Sequence, residues 1–206
     1  MIKVWGRVNS INVMKVLWCL EELGLNYDRV DAGMEHGVVD QEHYHRLNPN
    51  RRVPTLEDDN LVLWESNVIV RYLSAKHGTG SLCPPDPGTR ALAEQWMDWQ
   101  QTTLLTDLGF IFWGLIRHRK ENQDPGKLAA AAQRQGQLWC ILDAHLAGRK
   151  YVLGEELTMA DIPVGALVWR WTNLNIERPP LPNLEAWYQR LQARAPYRNR
   201  IMLPLT

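Results

Sequence analysis

The chain has 206 residues, 23 of them basic and 23 acidic, so it carries no net charge at neutral pH. That balance removes the electrostatic case for nucleic acid or an anionic membrane as partner, while the length allows one domain or two small ones, each with a real core. Cys19, Cys83 and Cys140 stand far apart with no C-x-x-C, which argues against a disulfide framework, a metal site or a dithiol redox centre.

The chain runs straight into Lys3-Val4-Trp5 without a signal-like apolar core, and no run approaches a membrane span. A soluble cytoplasmic protein is expected. Ile2 to Trp5 reads as a short strand and Gly6 to Ser10 as a polar loop. Val13, Val16, Leu17 and Leu20 then keep helical spacing as far as Leu23, with Gly24 as the stop. Tyr27 to Asp31 reads as a second strand, which predicts a parallel βαβ unit over residues 2–31. A short polar helix follows over Asp40 to Leu47 and ends at Asn48-Pro49-Asn50.

Residues 53–66, V-P-T-L-E-D-D-N-L-V-L-W-E-S, predict a hairpin. Thr55 to Glu57 and Leu61 to Trp64 are its strands, Asp58-Asp59-Asn60 its turn, and a helix from Asn67 to Lys76 follows. Pro54 has no N–H, so the backbone beside it is spared from ordinary ladder pairing, and its bond to Val53 can be cis. Ser66 stands at a helix start, where free N–H groups and the dipole favour a carboxylate; Glu65 can hold an ammonium. The two can equally form a plain capping pair. Taken with Val53-Pro54, they describe a site for a small zwitterionic, peptide-like molecule.

Glycines and prolines crowd residues 78–88, which reads as a linker between a first unit, 1–77, and a second, 89–206. Beyond it the pattern is helical only. Leu92, Trp96, Trp99, Thr103, Thr106, Phe110 and Trp113 form one stripe, and Met97, Leu104, Leu108, Ile111 and Leu115 a second. Together they predict one long helix with two apolar sides, touching both the core and a second domain or subunit. Another helix runs through Leu128, Ala131, Leu138 and Leu142 to Gly148. Thr158-Met159-Ala160-Asp161 has the spacing of a capping box, with Leu157 and Ile162 as its hydrophobic staple. Pro182 opens a final helix with Leu184, Trp187 and Leu191 inward.

V-P-x-L, a turn, then L-x-x-E-S-x-x-I-x-x-Y-L resembles the glutathione-binding half of the cytosolic glutathione transferases. The S/T-x-x-D box extends the likeness into the second half. It comes nearest to bacterial serine-type members, theta- and phi-like, some of which dehalogenate small haloacids. The resemblance implies a thioredoxin-like α/β domain followed by an all-α domain, glutathione as co-substrate with no metal, and a homodimer. The implied reaction is detoxifying attack of the glutathione thiolate on an electrophilic carbon, or reduction of a peroxide.

Such a fold needs a thiol-stabilising donor where the first strand meets the first helix. Ser10 matches the serine of the serine-type enzymes and would donate to sulfur, with Asn12 as its rival; read alone, Ser10 is also an ordinary N-cap. No Tyr precedes Tyr27, and Ser10 stands where a thiol-exchange cysteine would be. The resemblance implies that the backbone of Val53, beside Pro54, pairs with the cysteinyl amide, and that Glu65 and Ser66 hold the γ-glutamyl end. His36, Arg51 and Arg52 are candidates for the glycine carboxylate. Arg51 stands where relatives often have glycine. Trp5, Arg7, Phe110, Trp113 and Arg117 are candidates for the second-substrate pocket, the two arginines as anchors for a carboxylate-bearing electrophile; the aromatic residues are equally plain core. A different class stays open: partner-binding proteins of this fold, such as the stringent-starvation proteins that bind RNA polymerase.

Overall fold

The computed structural model describes all residues 1–206. Four strands form one mixed sheet in the order β2-β1-β3-β4, where β1 is Ile2–Trp5, β2 Tyr27–Val30, β3 Thr55–Asp58 and β4 Leu61–Trp64. β1 and β2 are parallel, as the βαβ spacing requires, while β1–β3 and β3–β4 are antiparallel. Ile2 and Val4 of β1 are buried on one face. Trp5 points to the other, donates to Glu57 at 2.6 Å, and meets Tyr44 edge-on.

α1 (Ile11–Glu22) and α3 (Ser66–His77) pack against each other, and α2 (Glu42–Leu47) carries Tyr44 to Trp5. The second half is helical: α4 (Pro87–Trp99), α5 (Leu105–Leu115), α6 (Pro125–His145), α7 (Asp161–Asn173), α8 (Pro182–Gln192) and α9 (Ala195–Arg200). Two of these starts share one device. Asp86 accepts from the Thr89 N–H and Asp124 from the Lys127 N–H, each followed by a proline in the first turn, where its missing N–H costs nothing. Pro87 and Gly88 therefore belong to α4 rather than to the connection before it.

α1 joins the two halves, because it is buried along almost its whole length. Trp18 meets Tyr197 with ring centroids 4.8 Å apart. Gly165 of α7 permits that approach, since a Cβ there would lie 2.9 Å from the Trp18 ring. Glu22 accepts from Trp18 and from both ends of the Arg194 fork. One continuous apolar core consequently runs from β1 to α9. No helix is long and apolar enough to cross a membrane.

Two sequence expectations are corrected. The single long helix over 92–115 is interrupted by a π-helical segment, Gln100–Leu104, between α4 and α5. The apolar stripes are compatible with either winding, and the polar run Gln100-Gln101-Thr102-Thr103 carries no signal for the extra residue. The capping box forms only by half. Asp161 accepts from the Thr158 N–H at 2.9 Å, but the Thr158 hydroxyl donates to Asp161 rather than capping, and α7 starts at Asp161. α9 had no counterpart in the sequence reading.

Candidate functional site

Two adjoining cavities lie between the sheet domain and α5, with Asn12, Arg52, Val53 and Leu105 shared by both. The smaller, about 410 Å³, is closed by Pro54, Glu65, Ser66 and Gln101. The larger, about 620 Å³, includes Arg7, Ser10, Phe112, Trp113, Arg117 and Arg170. A third cavity of about 750 Å³ lies between α6 and residues 175–179, lined by groups such as Leu128, Ala132 and Pro179. It shares no residue with the first two and reaches neither the α1 nor the α3 start, so its greater size does not make it the chemical centre.

The loop entering α1 is held close to its surroundings. Gly6 donates to Val30 O and Arg7 to Ala32 O, so β1–β2 pairing runs on past the strands. A Cβ on Gly6 would lie 2.4 Å from Val13 Cγ2, so glycine is needed for the loop to seat on α1. Ser10 then takes the N-cap position of α1, is nearly buried, and makes no side-chain capping bond. Its hydroxyl is thus uncommitted where the first helix begins. Asn12, two residues further, accepts from the Ser66 hydroxyl at 3.4 Å and so ties the starts of α1 and α3 together.

The opposite wall is residues 48–54. Tyr44 and Asn48 both donate to Arg52 O, at 2.6 and 2.9 Å, and both meet the Thr55 hydroxyl. Arg51 adopts φ +53°, the left-handed region that glycine fills at least cost. The Val53–Pro54 bond is cis, and neither N–H nor C=O of Val53 takes part in a backbone hydrogen bond. A backbone donor and acceptor therefore stand free beside Ser10. Glu65 also has positive φ, +71°, directly before α3. Its Oε2 accepts from Gln101 Nε2 at 3.2 Å, across the domain boundary.

The structure brings together Ser10, Asn12, Arg52, Val53, Pro54, Glu65 and Ser66, and, in the larger cavity, Arg7, Trp113 and Arg117. Three other sequence candidates lie elsewhere. His36 is exposed, 3.6 Å from Asp31 and 3.5 Å from Glu35, and lines neither cavity. Trp5 is on the sheet face toward α2, bonded to Glu57. Phe110 lines a separate hollow with Thr106, four residues before it on the same face of α5, and Arg134 of α6, so it faces α6 rather than the larger cavity. Sequence reasoning missed Gln101, Phe112 and Arg170. Gln101 lies within the unsignalled π-helical turn. Arg170 sits in an otherwise apolar run, V-G-A-L-V-W-R-W, and that lone charge was the available signal.

Comparison with known proteins agrees with this geometry. The glutathione S-transferase N-terminal domain matches residues 1–75 and the corresponding C-terminal domain residues 108–195. Escherichia coli "Glutathione S-transferase GstB" is 41% identical over 208 residues, covering all of both chains. The glutathione-bound theta class glutathione S-transferase of Xanthomonas axonopodis pv. citri superposes with a TM-score of 0.94 at 45% identity, over 100% of this chain and 99% of that one. A glutathione S-transferase from Pseudomonas fluorescens gives 0.85 at 25% identity, over 99% and 98%.

Proposed function

Since the chain belongs to the glutathione S-transferase family, we propose that it activates the glutathione thiol at Ser10 for attack on a small electrophile. Residues 1–77 hold glutathione, and the helical half from α4 onward, beyond the connection at 78–86, supplies the facing wall of the second-substrate pocket. The observation that carries this reading is the Ser10 hydroxyl, free of any capping bond at the start of α1 and on the wall of the larger cavity. The non-catalytic alternative gives way, because the chain is 41% identical over its full length to a glutathione S-transferase.

A free thiol has a pKa of about 8.5, and lowering it by about two units requires about 2.7 kcal/mol of preference for the anion. A hydrogen bond to a charged group contributes roughly 1.5–3 kcal/mol, and a helix N-terminus roughly 0.3–1 more. One hydroxyl at the start of α1 is enough. Val53 offers its free N–H and C=O to the cysteinyl amide. Ser66 and the first N–H groups of α3 take the γ-glutamyl carboxylate, and Glu65, steadied by Gln101, takes the ammonium. Arg52, with Arg51 beside it, takes the glycine carboxylate in place of His36, which is drawn to Asp31 and Glu35. Asn12 positions Ser66 and remains the rival donor to sulfur. The thiol proton leaves to solvent, and the thiolate then displaces a leaving group from carbon, halide from a haloacid for example, or reduces a peroxide.

Exposed apolar residues on β4 (Leu61, Val62 and Trp64), α3 (Val68) and α4 (Leu92) support a homodimer of the cytoplasmic family type. Light scattering that returned the mass of one chain would remove the dimer. The central experiment is glutathione titration with thiolate absorbance followed against pH. Wild type is expected to ionise glutathione well below its free pKa and Ser10→Ala to lose the shift. If Asn12→Ala loses it and Ser10→Ala keeps it, Asn12 is the donor. If glutathione does not bind, the transferase reading falls.

A further inference from the structure

Arg7, Arg51, Arg52, Arg117, Arg119 and Arg170 line the larger cavity, and no aspartate or glutamate does. In a chain of zero net charge this is a strong local excess of one sign. Arg119 pairs with Glu121 at 2.7 Å, and Arg51 and Arg52 flank Val53 on the side given above to glutathione. Arg7, Arg117 and Arg170 remain. They come from three separate places in the fold: the loop before α1, the residues just after α5, and α7.

Other arginines find carboxylates or backbone carbonyls, Arg178 and Arg198 being examples of the latter. Arg29 pairs with Asp31, Arg71 with Asp98, Arg134 with Asp107, Arg194 with Glu22 and Arg200 with Glu21. These three have none. The Nε atoms of Arg7 and Arg117 are buried without any hydrogen-bond partner. Arg170 is only 8% exposed, and the charges that act on it are Arg117 and Arg7, both repulsive. Burial and that repulsion push its pKa down to about 9, which still leaves it cationic at neutral pH. What steadies the group is aromatic. The Arg170 guanidinium lies 3.7 Å from the Phe112 ring centroid, and Arg117 lies 5.7 Å from Phe112 and 5.6 Å from Trp113. Ring faces hold the forks in place but leave their hydrogen-bonding edges free.

Buried like charges are retained at a cost unless an anion completes the site. One carboxylate engages one guanidinium fork and would leave further positive charge uncompensated. We infer that the second substrate is a small electrophile bearing two negative charges, such as a 2-halo dicarboxylate, with Arg170, Arg117 and Arg7 as the residues that select it. The inference rests on the transferase reading. In the reaction the thiolate pair forms the S–C2 bond while the C2–halogen bond breaks, and halide departs with the bonding pair. No oxidant or further proton is needed.

The test compares 2-bromosuccinate, 2-bromopropanoate and 2-bromopropanamide, each kcat/KM divided by the rate constant of free glutathione thiolate. The expected order is dianion, monoanion, neutral amide, with at least tenfold between the first and last. Arg170→Met and, at the more exposed position, Arg117→Met are each expected to shrink that ratio tenfold or more. Their folding is checked by circular dichroism. Succinate titrated into the glutathione-saturated protein reads the site without chemistry: it is expected to bind more tightly than succinamide, and to weaken with added salt. If the amide matches or exceeds the diacid, or succinamide binds as well as succinate, the inference is overturned while glutathione ionisation, measured alongside, keeps the transferase reading intact. Failure of glutathione to bind or ionise removes both.

Discussion

Lys15 Nζ, almost wholly inside the protein, donates to Asn67 Oδ1 at 2.9 Å, one residue beyond Ser66. It also reaches Gln100 Oε1 at 3.4 Å, while Asn67 Nδ2 donates to Met97 O at 2.7 Å. The cluster joins α1, α3 and the π-helical turn beside the smaller cavity that Ser66 and Gln101 close. The same turn that points Gln100 inward sends Gln101 to Glu65, so domain packing and ligand-group orientation share one irregularity of the backbone.

Burial pushes the Lys15 pKa down to about 7, against a smaller upward pull from Glu65 and a further downward push from Arg170. The unfolded chain holds this proton up to about pH 10.4. Between those values the unfolded state binds more protons, so the lysine's contribution to stability rises with pH from about 7 to about 10 and is lost as pH falls through 7. Urea unfolding of wild type and Lys15→Met at pH 7 and pH 9.5 reads this directly. Wild type is expected to gain on the variant at the higher pH; a difference that stays constant would show that the lysine does not titrate in this window.

Gln101→Ala removes the amide that steadies Glu65. A hydrogen bond to a charged group is worth about 1.5–3 kcal/mol, but both residues here are exposed and the bond is 3.2 Å, so roughly 1 kcal/mol is expected to be lost. Calorimetry should then give glutathione a Kd about fivefold weaker, with thiol ionisation in the bound state unchanged because Ser10 is untouched. An unaltered Kd would mean that Glu65 is held by its backbone alone.

Much of this architecture was legible in the sequence because local rules and tertiary packing agree there. The βαβ unit, the hairpin and the helix at Ser66 follow from periodicity, turn residues and Pro54. The features that escaped depend on contacts distant in sequence. The π-helical turn at Gln100–Leu104 has no local signature, and Phe110 faces α6 rather than the cavity. His36 is a plausible anion partner by charge, but Asp31 and Glu35 take it. Arg170 gains its meaning only when α7 brings it over Phe112, facing two other guanidinium groups. Arg51 was flagged as out of pattern, and its φ of +53° gives the reason: the loop demands a left-handed residue whatever side chain stands there.

The three thiols should separate cleanly. Cys19 is buried beside Ser74, and burial pushes its pKa up to about 12; Cys83 is buried, and Cys140 is exposed. The thiolate is the reactive form, so a disulfide reagent at pH 8 is expected to modify Cys140 quickly and the other two only on unfolding. Rapid modification of more than one thiol in the native protein would contradict the packing around α1.

Asp161 supports the second half of the molecule from inside. Its Oδ1 accepts from the Val152 N–H and the Trp187 indole, both at 2.9 Å, and its Oδ2 from the Thr158 N–H. Asp161→Ala would strand four buried donors, the Thr158 hydroxyl included, at about 1–3 kcal/mol each, a loss comparable to the whole stability of many domains, so insoluble or unfolded protein is expected. Asp161→Asn keeps one acceptor and the volume, and should fold with a lowered Tm. Burial, outweighing these donors, pushes the Asp161 pKa up to about 6 from an unfolded value of about 3.9. The folded state then binds the extra proton, so this contribution is complete below pH 4 and is lost as pH rises through 6. Relative to Asp161→Asn, which cannot titrate, wild type should lose stability between pH 4.5 and 6.5. If the difference between the two is flat across that range, the carboxylate is ionised throughout, and its hydrogen bonds outweigh its burial.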